Sequence, residues 1–210
     1  MMCGIALLIL ATIIGLYRVV APRVLPLPVY MTLPEAQLID QDGRTFALTQ
    51  TRDKVVVLSL IYTHCPDTCP LTTVKMKQIQ DRIQTAGLSH QVQLLTFTVD
   101  PERDSPEVLK RFAGAFGFDP SNWVFLTGTA GQIHILIKAL SLYVKRVYYV
   151  NEAPVPEARL PDQPAGTPYL VSHTDRLFVI DRQGNVRALL PGSRTNVDNA
   201  MELIQRIVHA

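Results

Sequence analysis

Residues 54–70 read KVVVLSLIYTHCPDTCP, and this stretch decides the fold. Lys54 to Tyr62 is almost wholly apolar and rich in β-branched side chains, the pattern of a central strand covered on both faces. It runs directly into Cys65-Pro66-Asp67-Thr68-Cys69-Pro70. Two prolines four apart cannot share one regular helix, because Pro70 would lose the bond to the Pro66 carbonyl and clash with it. Either Cys65 caps a distorted first turn, or Cys65 to Cys69 is a tight turn and the helix begins at Pro70. Both arrangements bring two sulfurs together at a helix N-terminus, where the dipole favours thiolate over thiol.

Downstream, Thr72, Met76, Ile79, Ile83 and Ala86 recur at helical spacing from Leu71, and Gly87 ends that helix. Val92 to Val99 predicts a second buried strand. Ser105-Pro106 opens a helix with the serine as N-cap and proline at its first position, over a stripe of Val108, Leu109, Phe112 and Phe116. Trp123 to Leu126 predicts a short strand. Thr129 and Gln132 form a capping box ahead of Ile133, Leu136, Ile137 and Leu140. Tyr143 to Val150 predicts a strand, and Asn151 to Thr167 a long proline-bearing loop, a length that usually marks function or mobility. Tyr169–Val171, Leu177–Ile180 and Val186–Leu190 follow as strand, with a turn at Asp181 to Gly184. Asn196 to Val208 closes the chain as a helix. Upstream, Leu38 to Leu48 reads as a hairpin turning at Asp42-Gly43. Strand–helix alternation of this kind predicts an α/β fold, and a dithiol between the central strand and its helix predicts a thioredoxin-like central sheet flanked by helices.

The whole chain has 210 residues, enough for one domain with its own core over residues 35–210. Its 20 basic and 18 acidic residues leave a net charge of +2, with no Lys/Arg run, which argues against nucleic-acid partners. Three cysteines are too few for a disulfide scaffold. One of them, Cys3, lies in an apolar start.

Met1 to Tyr17 carries no charge, and Val19 to Ala21 continue the apolar run past Arg18. Seventeen uncharged residues reach the lower limit for a bilayer span, which a snorkelling Arg18 extends. Residues 1–21 therefore predict a transmembrane anchor. A cleaved signal peptide is the alternative, although no basic n-region precedes the run and no A-x-A site follows it. Pro22, Pro26, Pro28 and Pro34 make residues 22–34 an extended, stiff spacer. Arg18 and Arg23 follow the span, so the positive-inside rule alone would place the domain in the cytoplasm.

Paired thiolates can bind a soft metal or exchange with a disulfide. Of the five histidines, His90 and His209 read as solvated and His134 as a helix-surface residue. His64 adjoins Cys65, but neighbours in extended chain point oppositely. His173 follows the long loop and leads into the Leu177 strand, which in a thioredoxin plan lies beside the dithiol. Cys65, Cys69 and His173 together suit copper: thiolate selects Cu(I), and imidazole lets the site accept Cu(II). Zinc competes, but it wants a fourth ligand that the sequence does not offer.

Four blocks then resemble the SCO/SenC family of membrane-anchored, thioredoxin-fold copper proteins. They are Cys65 to Pro70, Asp100 to Pro106, Trp123 with Leu126-Thr127-Gly128, and His173-Thr174 ahead of Leu177 to Gly184. The resemblance implies one copper per monomer on Cys65, Cys69 and His173. It also implies delivery to the binuclear copper centre on the copper-bearing subunit of cytochrome c oxidase. The soluble domain would face the periplasm from the inner membrane, or the intermembrane space in a mitochondrion, which overrides the charge argument. Other copper carriers and thiol–disulfide reductants are further partners the resemblance implies. A family acid usually precedes the ligand histidine; here Ser172 stands there, and Asp175 is the nearest carboxylate that could orient the ring. A second reading makes Cys65 and Cys69 a redox dithiol that keeps the target's copper-ligand cysteines reduced. A third, thiol peroxidase, rests on Thr63-His64-Cys65 and lacks an identified activating arginine.

Overall fold

The computed structural model describes residues 27–150, 153–156 and 167–210. Among these, strands β1 (Met31–Thr32), β2 (Gln37–Asp40) and β3 (Thr45–Ala47) precede the central β4 (Val55–Ile61) and helix α1 (Thr68–Thr85). Then come β5 (Val92–Thr98), α2 (Pro106–Ala115), β6 (Trp123–Thr127) and α3 (Ala130–Ala139). The chain finishes with β7 (Val144–Val150), β8 (Ala153–Pro156), β9 (Tyr169–His173), β10 (Arg176–Ile180), β11 (Asn185–Pro191) and α4 (Val197–Val208).

The main sheet runs β1-β11-β10-β4-β5-β6-β2-β3. Its centre, β4-β5-β6, is parallel, with Leu58 opposite Leu95 and Leu95 opposite Val124. Every residue of β4 and β5 is buried, as an apolar run between two covered faces requires. The polar groups in that core are paired across three strands: Ser59 meets Thr96 at 2.7 Å, and Trp123 Nε1 donates to Thr96 Oγ1 at 2.9 Å. Helices α1 and α4 pack on each other and on β4, while α2 lies over β6. Local signals hold where expected. Ser105 caps α2 by accepting from Val108, with Pro106 at the first position. Thr129 and Gln132 complete their reciprocal capping box at α3.

The strand at 144–150, whose sheet the sequence leaves open, centres a second sheet, β8-β7-β9. Two expectations change. The stretch 151–167 is not all loop, because Ala153–Pro156 pairs with β7 as an edge strand, the one place where two prolines are tolerated. His173 ends β9, opposite Val144, rather than leading β10; the chain crosses between sheets at Thr174 and Asp175.

The part of the 22–34 segment that is described, from residue 27, is extended and tied to the domain. Tyr30 and Leu33 donate backbone bonds to Val186 and Gly184, and Arg187 donates to the Leu27 carbonyl at 2.6 Å. The segment 1–21, expected to be a membrane anchor, lies outside the described residues. Among the described residues, no helix is long and apolar enough to cross a membrane.

Replacing Thr96 with valine should orphan both the Ser59 hydroxyl and the Trp123 N–H. An expected loss of about 2–4 kcal/mol would show in urea unfolding, and adding Ser59→Ala should recover about 1 kcal/mol.

Candidate metal centre

Helix α1 begins at Thr68, between the two expected starting points, with Asp67 as N-cap. Pro66 thus stays outside the helix, and Pro70 occupies the third helical position, where no N–H partner is lost. Cys65 sits in the preceding turn, its N–H donating to the Tyr62 carbonyl at 3.2 Å. Cys69 lies inside the first helical turn and is 1% exposed. Cys65 is half-buried, and the two thiols are not joined by a disulfide.

The thiols are unequal. Cys65 is held down to about 5, first because the Cys69 thiol donates to it, then because the backbone N–H groups of Cys69 and Asp67 and the Tyr62 hydroxyl do so too. Burial opposes this shift without cancelling it. Cys69 is pushed above the ordinary thiol range by that donation to Cys65 and by burial. Burial also raises the Tyr62 phenol, so it remains a donor at neutral pH.

His173 reaches this pair from the second sheet. Its Nε2 lies 3.3 Å from Cys69 Sγ, and its Nδ1 lies 3.0 Å from the Thr174 carbonyl. A carbonyl only accepts, so Nδ1 carries the proton and Nε2 aims its lone pair at Cys69. The Tyr62 ring meets the imidazole edge-on at 5.9 Å. The Cys69 thiol thus lies between Cys65 on one side and an imidazole nitrogen on the other.

Among the described residues, no three Cys, His, Asp or Glu side chains already surround a ready-made metal position; this trio converges pairwise, Cys65 on Cys69 and Cys69 on His173. The spacing nevertheless suits a soft cation. Ligand bonds of roughly 2.3 Å to sulfur and 2.0 Å to nitrogen span about 3.5 Å at a tetrahedral angle, near the 3.3 Å observed.

Other candidates fall elsewhere. His64 is exposed, its Nδ1 3.2 Å from Thr63 Oγ1 and 3.9 Å from Asp104. Asp175 does not touch the His173 ring; its carboxylate takes Thr72 and Ser193. Ser172 is exposed and, by strand alternation, faces away from His173, so its substitution for an acid leaves the Thr174 bond intact.

Asp104 belongs to the support of the site. Buried, and raised by that burial above the usual carboxylate range, it accepts from Thr98 Oγ1 and from both the N–H and hydroxyl of Thr63. It therefore tethers the turn that carries Cys65. Asp100 and Arg103 form a second tether to β9. Arg103 pairs with Asp100, donates to the Tyr169 carbonyl at 2.9 Å and stacks 3.7 Å over the Tyr169 ring, whose hydroxyl donates to Asp100. Sequence reasoning missed Tyr62, Tyr169 and Thr72; only Tyr62, three residues before Cys65, carried a local signal.

A parallel α/β core with paired thiols at the first turn after its central strand, and an imidazole brought in beside them, defines a thioredoxin-like protein with a thiol–imidazole site. The SCO1/SenC family model matches residues 32–209, and the chain belongs to that family. It is 31% identical over 147 residues to human "Protein SCO2 homolog, mitochondrial", covering 70% of this chain and 49% of that protein. The match to a SCO1/SenC family lipoprotein from Bacillus anthracis has TM-score 0.70 at 29% identity, over 86% of this chain and 96% of that one. Yeast Sco1 with copper bound matches with TM-score 0.65 at 25% identity, over 83% and 89% of the two chains. Against the curated relatives the matched region spans between 45% and 72% of their own length.

Thiolate alkylation of the reduced, metal-free chain should titrate with a midpoint near pH 5 and label Cys65 before Cys69, as read by peptide mapping. The rate should be flat above that midpoint and fall about tenfold per pH unit below it. A midpoint in the ordinary thiol range would contradict the hydrogen-bond set around Cys65.

Proposed function

We propose that this chain binds one copper ion through Cys65, Cys69 and His173 and delivers it to the binuclear copper centre of cytochrome c oxidase. The observation that carries the reading is the 3.3 Å approach of His173 Nε2 to Cys69 Sγ. Disulfide exchange needs no imidazole, whereas two thiolates and one neutral nitrogen form a donor set for either copper oxidation state. The copper-bound Sco relative of the same fold supports the choice of metal.

Copper is cargo here, and the chain's own groups set how it is received. Cys65 is already a thiolate at neutral pH and half-exposed, so it is the first donor an incoming ion meets. Cys69 must give up its proton as it becomes a ligand, so loading releases a proton. His173 needs no rearrangement of protons, because its Nδ1–H stays donated to the Thr174 carbonyl. Residues 1–21 anchor the chain in the inner membrane with the domain on the periplasmic side, or facing the intermembrane space in a mitochondrion. The target is the copper-bearing oxidase subunit.

The inequality of the two thiols favours a second reading, reduction of the target's cysteines. The Cys65 thiolate attacks a target disulfide sulfur and expels one target thiolate, leaving a mixed disulfide. Cys69, once deprotonated, attacks Cys65 and releases the second target thiolate. Two electrons pass to the target, and the chain ends with a Cys65–Cys69 disulfide. Among the described residues no arginine contact to Cys65 supports the peroxidase reading, and Arg103 is engaged with Asp100 and Tyr169.

Metal titration of the reduced chain should show one copper per chain, and changing either Cys65 or Cys69 to alanine should abolish binding. His173→Ala should cut Cu(II) affinity by more than the ~100-fold typical of losing an outer partner, with a smaller effect on Cu(I). Calorimetry in buffers of different ionisation enthalpy should detect the proton released. Unchanged Cu(II) binding in His173→Ala would remove the imidazole from the ligand set and leave dithiol exchange as the function.

A further inference from the structure

The Cys69–His173 contact joins a helix of the main sheet to the last residue of a separate sheet, so its length must be set by something that spans the two. One helical turn past Cys69, the Thr72 hydroxyl donates to Asp175 Oδ1 at 2.8 Å. Asp175 itself lies two residues past His173, on the crossing between the sheets. Its other oxygen accepts from the Ser193 N–H at 3.0 Å and from the Ser193 hydroxyl at 2.7 Å. Its backbone carbonyl accepts from the Gly192 N–H at 3.2 Å. Thr72 is 1% exposed, so the helix-side bond is made in the interior.

Gly192 completes the fit. A Cβ there would lie 1.7 Å from Asp175 Oδ1 and 2.6 Å from its Cγ, so glycine alone leaves the carboxylate its place. The bond from Thr72 to Asp175 therefore runs alongside the contact from Cys69 to His173, one step further along each element. Asp175 touches neither the ring of His173 nor, among the hydrogen bonds described, either thiol. The ring's own orientation comes from the Thr174 carbonyl.

We propose that Asp175 is a positioning residue: its carboxylate hooks helix α1 and the turn at Gly192-Ser193 onto the crossing between the sheets, and so sets the distance from Cys69 Sγ to His173 Nε2. The copper consequence rests on the three-ligand reading above, but the hook itself is a property of the metal-free chain. Both thiols belong to the main-sheet side, whereas the imidazole alone depends on the hook. Breaking it should therefore cost Cu(II), which needs the nitrogen donor, far more than Cu(I), which the thiolates hold.

The test compares full-length reduced chains in detergent micelles: wild type, Asp175→Ala, Asp175→Asn, Thr72→Val, His173→Ala and Cys69→Ala. Nitrogen-15 NMR of the metal-free His173 ring is the first readout, with Cys69→Ala marking the resonance of an Nε2 that has lost its thiol partner. In Asp175→Ala and Thr72→Val the Nε2 signal should move to that mark. An Nε2 signal left at the wild-type position in these variants overturns the proposal. Should Asp175→Ala fail to fold by circular dichroism, Thr72→Val, which exchanges one hydroxyl for a methyl, decides alone. Copper titration is the second readout. Asp175→Ala should weaken Cu(II) binding by about 10- to 100-fold, hold Cu(I) near wild type, and be largely rescued in Asp175→Asn, which keeps an acceptor oxygen. Equal losses of Cu(I) and Cu(II) would reduce Asp175 to a general structural role and defeat the proposal. Should His173→Ala bind Cu(II) normally, the copper reading fails by itself, and the ring resonance still decides whether the hook holds the imidazole.

Discussion

One sulfur–nitrogen contact bridges two sheets, and the chemistry of this domain depends on it. The thiols ride on the end of β4 and the start of α1, which the fully buried parallel core holds in place. The imidazole rides on β9, in a sheet of its own. Nothing in the backbone ladder of either sheet enforces their meeting. The work falls to side chains that cross the gap: Arg103 and Asp100 on Tyr169 at one end of β9, and Asp175 at the other. Pinning a strand at both ends leaves little freedom to the residue that terminates it, which is how a donor atom is kept within a few tenths of an ångström of a useful place.

Burial and charge then divide labour between the two cysteines. The outer sulfur is surrounded by donors: two backbone N–H groups at the helix start, a thiol and a phenol. The inner sulfur donates to Cys65 and is buried, which together outweigh the Tyr62 backbone N–H beside it, so it keeps its proton. A site with one open, ionised sulfur and one guarded, protonated sulfur can begin a reaction at the surface and finish it inside. Metal loading and disulfide exchange both use that order, which explains why the same pair serves either reading and why the imidazole is the feature that separates them.

The fold is largely legible in the sequence because its strongest signals are local. The apolar run at 54–62, the paired prolines around Cys69 and the caps at Ser105 and Thr129 each act within a few residues, and the structure realises each of them. Partnership is not legible. The alternation at 144–150 marks a strand but does not say which sheet it joins, and the prolines at 154 and 156 disguise an edge strand as loop. Cys65, Cys69 and His173 are readable as a set, and Cys69 and His173 do meet. The supports around them are not readable, since Arg103 meets Tyr169 across 66 positions and Thr72 meets Asp175 across 103. Proximity in sequence suggests Asp175 as a partner for the ring; it grips backbone and hydroxyls instead, because strand geometry leaves the Thr174 carbonyl nearer to Nδ1.

The small sheet ends in β8, and both of its prolines lie opposite residues of β7. A proline nitrogen cannot donate to the neighbouring strand, so these two positions turn their nitrogens outward, where a further strand would seek donors and find none. The β8 rim of the small sheet, opposite the β9 strand that carries His173, is thereby closed to recruitment by other polypeptides, including copies of itself.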